Sequence, residues 1–156
     1  MTCYKYTVFC YTVFMTKKWL DQNKKIVLFD GECNLCDRWV QLLLKNDSKN
    51  IFCFTSLQSE IGQNFQKEYG IDGLVMNSII VIDNYTKYKT KTSAVFSMTN
   101  SMDGLWPLLG IFWIIPKFLR DWVYNFVSKN RYRWFGKKTC LVMTNEIKHK
   151  FLDHHE

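Results

Sequence analysis

The residues best suited to chemistry in this chain are Cys33 and Cys36, held two residues apart by Asn34 and Leu35, with Asp30 three positions before the first. A free cysteine thiol ionises near pH ~8.5. At the first turn of a helix, unpaired backbone N–H groups and the positive end of the dipole stabilise its thiolate. A second cysteine one turn later can attack a mixed disulfide and release the reduced partner. The spacing therefore predicts thiol–disulfide exchange, with Cys33 as the more exposed attacking thiol and Cys36, on the apolar side, as the resolving thiol. Asp30 has two readings: it ends a strand and caps the turn with Gly31, or it moves a proton to or from Cys36. Glu32 is the weaker candidate, since a carboxylate beside a thiolate raises the thiol pKa. The same two cysteines are also half of a tetrahedral zinc site, but that needs a second close Cys/His pair. Cys140 stands alone, and His149, His154 and His155 sit in a polar tail. An inert buried pair is the third reading.

The elements that must position this pair are readable on either side of it. Ile26–Phe29 is a short continuous apolar run, as in a buried strand, broken by Asp30-Gly31. From Leu35, the apolar positions Cys36, Trp39, Val40, Leu43 and Leu44 follow helical spacing. Ile51–Thr55 predicts a second buried strand carrying Cys53, and Ser59 a helix N-cap, with Gly70 at that helix's exit. Ser78–Ile82 predicts a third strand turning at Asp83-Asn84 and pairing as a hairpin with Tyr85–Lys91. Helical pattern returns around Thr92-Ser93-Ala94, with Val95 and Met98 toward the core. An amphipathic helix starts near Pro116 and carries Phe118, Leu119, Trp122, Val123, Phe126 and Val127. The order strand, helix, strand, helix, hairpin, helices predicts a thioredoxin-like α/β sandwich: a central mixed sheet of about four strands, flanking helices and a helical C-terminal extension.

Length and composition agree with one packed domain: 156 residues, 47% hydrophobic and 17% aromatic, with two prolines and seven glycines. We read 1–24 as an N-terminal extension, 25–140 as the thioredoxin-like domain and 141–156 as a polar C-terminal tail. Three readings of Tyr4–Met15 stay open: an extra edge strand, a secretory segment, or translation beginning at Met15. Leu105–Phe118 is strongly apolar but shorter than the roughly 20 residues of a membrane-spanning helix, and Pro107, Gly110 and Pro116 interrupt it. The first expectation there is a buried helix–turn segment, the second an interfacial membrane contact or a partner-binding patch. Of six cysteines, Cys33 and Cys36 are closely paired while Cys3, Cys10, Cys53 and Cys140 are dispersed. Without a clear secretory signal this fits a reducing, cytoplasmic compartment better than a disulfide framework. The net charge of +7 permits acidic partners, but the lysines are scattered. The densest cluster, Lys129, Arg131, Arg133, Lys137 and Lys138, reads as a cationic helix end, so no nucleic acid is expected.

FDGECNLC, from Phe29 through Cys36, resembles the opening motif of the DCC thiol-disulfide oxidoreductase family, named for its Asp-x-x-Cys-x-x-Cys pattern. Further matches are Tyr88, Thr92-Ser93-Ala94 (with Thr92 for the usual Ser), Pro116, Arg120-Asp121 and Tyr124. Asn130 through Gly136 (NRYRWFG), followed by Cys140, matches the family's terminal signature. The resemblance spans about Lys25 to Cys140. It implies a thioredoxin-like fold, a protein-disulfide reductase type of activity, and Asp30, Cys33 and Cys36 as the defining site. Arg131, Arg133 and Cys140 carry over as signature positions, and Cys140 reads either as a packed thiol or as a relay to the pair. Thioredoxins differ in placing a cis-proline before the third strand, where this chain has Met76-Asn77-Ser78. A non-proline cis bond costs roughly 2.5–4 kcal/mol, so the same substrate groove is not implied. Asn34-Leu35 likewise replaces the Gly-Pro between thioredoxin's cysteines.

The expected function is thus exchange of a Cys33–Cys36 dithiol/disulfide with a protein or a small-molecule thiol. The cysteines themselves carry the electrons, so no cofactor and no metal are called for. The rival is a non-catalytic thioredoxin-like module that uses its aromatic C-terminal region to hold a protein or a membrane surface. The oligomeric state has no signature in the sequence.

Overall fold

Every interior residue of Ile26–Phe29 is apolar because both faces of that strand are covered. In the computed structural model, which describes residues 24–71, 78–84, 87–137 and 150–152, β1 (Lys25–Phe29) lies inside a four-stranded sheet. Its neighbours are β2 (Phe52–Ser56), β3 (Ile80–Asn84) and β4 (Lys87–Thr90), in the order β2-β1-β3-β4. β1 and β2 run parallel, with Lys25 opposite Phe52 and Phe29 opposite Ser56. β1 and β3 are antiparallel, Val27 opposite Val81, and β4 completes the antiparallel hairpin. Alternation divides each strand between two cores. Val27, Phe29, Phe52, Phe54 and Val81 face α1 (Asn34–Lys45) and α3 (Lys91–Thr99), where Val40, Leu43, Ala94 and Met98 meet them. Ile26, Leu28, Cys53, Ile80 and Ile82 face α2 (Glu60–Glu68) through Phe65. This is the mixed sheet with flanking helices that the element order predicts.

Local chemistry ties the crossovers to the sheet. Ser59 caps α2 by accepting from the Gly62 N–H at 3.0 Å. Gly62 runs so close to the end of β2 that a Cβ there would sit 1.9 Å from the Ser56 carbonyl oxygen. The buried Asp47 carboxylate accepts from the Ile51 and Phe52 N–H groups, at 2.8 and 3.2 Å, and fixes the start of β2.

The third strand begins later than the pattern suggests. Asp83 and Asn84 belong to β3, Asn84 opposite Lys87 with a bulge between Ile82 and Asn84, and positions 85–86 fall outside the described residues. The readings of 1–23, Met76-Asn77, Cys140 and the three histidines fall outside them too. Within the stretch read as a polar tail, Phe151 and Leu152 are buried. Phe151 pairs with Phe54 in a parallel bridge and packs edge-on against Phe29, while Lys150 reaches Asp47 at 2.8 Å. Two apolar residues among charges leave no periodicity to read, yet they complete both cores.

The larger correction concerns Leu105–Phe118. Trp106–Ile114 forms a 3-10 helix with no buried residue, and Leu105, Leu108, Ile111, Phe112, Trp113 and Ile114 are all exposed. The following helix, α4 (Lys117–Phe135), also turns Phe118, Leu119, Trp122, Val123 and Phe126 outward. Its inward side is polar: Asp121 accepts from the Thr92 hydroxyl, the Tyr124 hydroxyl accepts from the Ile79 N–H, and Arg131 is buried. The apolar stripe faces out because the helix spends its inner face on polar partners. Among the described residues no helix is long and apolar enough to cross a membrane.

Candidate active site

The carboxyl end of β1 and the amino end of α1 bring the sequence-predicted residues together. Cys33 occupies the N-cap position of α1 in an extended conformation, and its carbonyl accepts the Asp37 N–H at 3.0 Å. Cys36 lies one turn on, packed against the first core, and the two cysteines approach to 3.7 Å. Both are free thiols. The Cys36 thiol hydrogen-bonds to the Cys33 sulfur, and this is the chief reason the Cys33 pKa falls to about 6. Burial opposes the fall, whereas the N–H groups of Cys36 and Leu35 and the charge of Arg131 add to it. The same thiol–thiol bond, reinforced by burial, pushes Cys36 strongly upward. One sulfur is thus prepared as a nucleophile while the other keeps its proton. Cys53, on the opposite face of the sheet, is raised by burial to about 11.

Asp30 ends β1 and is buried. Its Oδ1 accepts from Gln58 Nε2 at 2.8 Å and from the Glu32 N–H at 3.1 Å. Its Oδ2 accepts from Arg131 Nη2 and from the Tyr132 hydroxyl. None of these four bonds goes to Cys36. Side-chain exposure of Asp30 and Arg131 is 4% each, so this is a buried ion pair, and Arg131 also donates to the Tyr132 hydroxyl at 3.1 Å. Burial works against the Arg131 charge, but Tyr132, Cys36 and Asp30 together hold it above its usual value. Glu32 is exposed and faces Lys137 at 3.7 Å.

The exposure expected of Cys33 is not observed: the residue is 1% accessible. The segment leaving α4 folds across it. Cys33 forms an antiparallel bridge with Lys137, Asn34 Nδ2 donates to the Phe135 carbonyl at 2.7 Å, and Gly136 turns the chain at φ +76°. A loop position predicts exposure only when nothing distant returns to cover it.

Three contributors escaped the sequence reading. Gln58 was not singled out, although the β1–β2 register places it at the same carboxyl edge as Asp30, where open α/β sheets commonly build sites. Arg131 and Tyr132 stood within the NRYRWFG signature without assigned roles. Arg133 is exposed and Tyr88 packs against the α2-side core, so neither joins this cluster.

With this geometry, the chain's likeness to known proteins has a physical counterpart. It is 42% identical over 129 residues to YuxK, an uncharacterized protein of Bacillus subtilis (strain 168), covering 82% of this chain and 93% of that one. It is 33% identical over 124 residues to a chloroplastic DCC family protein of Arabidopsis thaliana, covering 78% of this chain and 72% of the relative. No solved structure is a significant match. The DCC1-like thiol-disulfide oxidoreductase model matches residues 27–137, from inside β1 to the strap over Cys33. The chain belongs to the DCC1-like thiol-disulfide oxidoreductase family, and its general function is thiol redox chemistry.

Proposed function

We propose that this protein exchanges a Cys33–Cys36 dithiol with the disulfide of a protein or small-molecule partner. The observation that carries the reading is two free thiols 3.7 Å apart at a helix start. The lowered Cys33 and raised Cys36 pKa values that follow from this placement support it. The Cys33 thiolate attacks one sulfur of the partner disulfide, forming a mixed disulfide and expelling the other sulfur as a thiolate. The Cys36 thiol then loses its proton to the departing partner, and its sulfur attacks Cys33. Attack on Cys33 releases the partner's second sulfur as a thiolate, which takes a proton from water. The products are a Cys33–Cys36 disulfide and a partner dithiol, with two electrons transferred. A thiol reductant run through the same steps in reverse resets the pair, in keeping with a reducing cytoplasmic setting.

Asp30 acts here as a positioning residue. Its carboxylate holds the Arg131 guanidinium beside the cysteines, and that charge favours the thiolate. Cys33→Ser should abolish reduction of a model disulfide. Cys36→Ser should accumulate mixed disulfides, detected by mass spectrometry. If both variants reduced the model disulfide as fast as the parent, the mechanism would be wrong.

A further inference from the structure

We propose that the outward face of the 3-10 helix and α4 docks the protein on the surface of an anionic lipid bilayer. Ile114 is 83% and Phe118 76% accessible. They adjoin an open cleft of about 580 Å³ whose lining includes Phe96, Leu109, Phe112, Ile115 and Leu119. A contiguous apolar surface of this kind marks an interaction site. Three exposed tryptophans, Trp113, Trp122 and Trp134, share these elements. Indole rings partition favourably to the boundary between hydrocarbon and headgroups.

Charge chooses the occupant. On α4 the positions Phe118, Trp122, Phe126, Lys129 and Arg133 fall along one line at helical spacing, and all five are exposed. Lys117 is exposed at the start of the same helix. Between residues 104 and 137 the sequence has one carboxylate, Asp121, and it is engaged by Thr92. Apolar groups with neighbouring exposed cations and no free carboxylate match an anionic headgroup layer over a hydrocarbon interior. A second copy fits poorly, since pairing this face with itself would oppose the same cations. An acidic protein would satisfy the charges, but the exposed indoles favour the bilayer.

Flotation with vesicles tests the assignment. The full chain should rise with vesicles of equimolar phosphatidylglycerol and phosphatidylcholine, and far less with phosphatidylcholine alone. Lys129→Ser with Arg133→Ser should weaken binding about thirtyfold, the loss expected for two surface cations. Ile114→Ser with Phe118→Ser should abolish it. Both double variants should keep the parent's circular dichroism and disulfide-reducing rate, which separates this proposal from the redox reading. Absence of flotation, equal binding to neutral vesicles, or indifference to both double variants overturns the proposal. A dimer in solution that either double variant dissociates assigns the face to a second copy instead. Binding to polyglutamate but not to vesicles assigns it to an acidic protein.

Discussion

At the scale of single residues, the division of labour between Cys33 and Cys36 is a hydrogen bond with an electrostatic surround. Alkylation of Cys33 by iodoacetamide should follow its thiolate, with a midpoint near pH 6 rather than in the ordinary thiol range. The linkage has a definite sign. The folded pKa is depressed, so between about pH 6 and the ordinary thiol value the unfolded chain binds more protons than the folded one. Stability of the reduced protein should therefore rise with pH across that window, and be lost as pH falls through 6; denaturant melts at stepped pH read this directly. Arg131→Met removes one of the thiolate's supports and strands Asp30 as a buried, uncompensated charge. The expected cost is about 3–5 kcal/mol of stability, measured by urea unfolding. The Cys33 midpoint should also rise, by about one pH unit for a lost neighbouring charge. Because the reduced form loses that stabilisation, the reduction potential should fall by about 30 mV. A purely structural arginine would change the melt and leave the alkylation midpoint where it was.

At the scale of elements, the sequence disclosed what depends on period and turn chemistry. β1, α1 and β2 could be read because an unbroken apolar run, a 3.6-residue stripe and Asp30-Gly31 each have a single physical reading there. Ser59 was legible as a cap for the same reason, whereas the closeness of α2 to β2 at Gly62 was not. Gly62→Ala tests that closeness. A methyl group 1.9 Å from the Ser56 carbonyl oxygen must push helix and strand apart, so thermal unfolding should show a loss of at least about 2 kcal/mol. What the sequence concealed was orientation. The stripe from Phe118 to Val127 announced a helix but not which side the domain would meet. Arg131 and Tyr124 face inward because they find Asp30 and the Ile79 N–H there, and such long-range polar pairings leave no periodic trace. Burial of Cys33 was hidden in the same way, since its cover comes from residues 135–137.

At the scale of the whole molecule, α4 connects two surfaces of different character. Its first half carries the exposed aromatic stripe, and its last turns supply Arg131, Tyr132 and the strap over the reactive pair. Docking along the line from Phe118 to Arg133 would lay α4 lengthwise on the bilayer surface. The last turns, which supply Arg131 and the strap, then lie at the membrane surface, so partners held close to the membrane would lie within reach of the cysteines. The Asp30–Arg131 pair has a further consequence, for the order of events during synthesis. Its members are separated by 101 positions along the chain. At about 5–20 residues per second, roughly 5–20 s pass between translation of the aspartate and of the arginine. Through that interval the nascent chain carries both cysteines without the guanidinium that helps to ionise one of them or the strap that covers it. The ionised and covered state of Cys33 is thus acquired late, only after Arg131 and the strap of residues 135–137 have been translated.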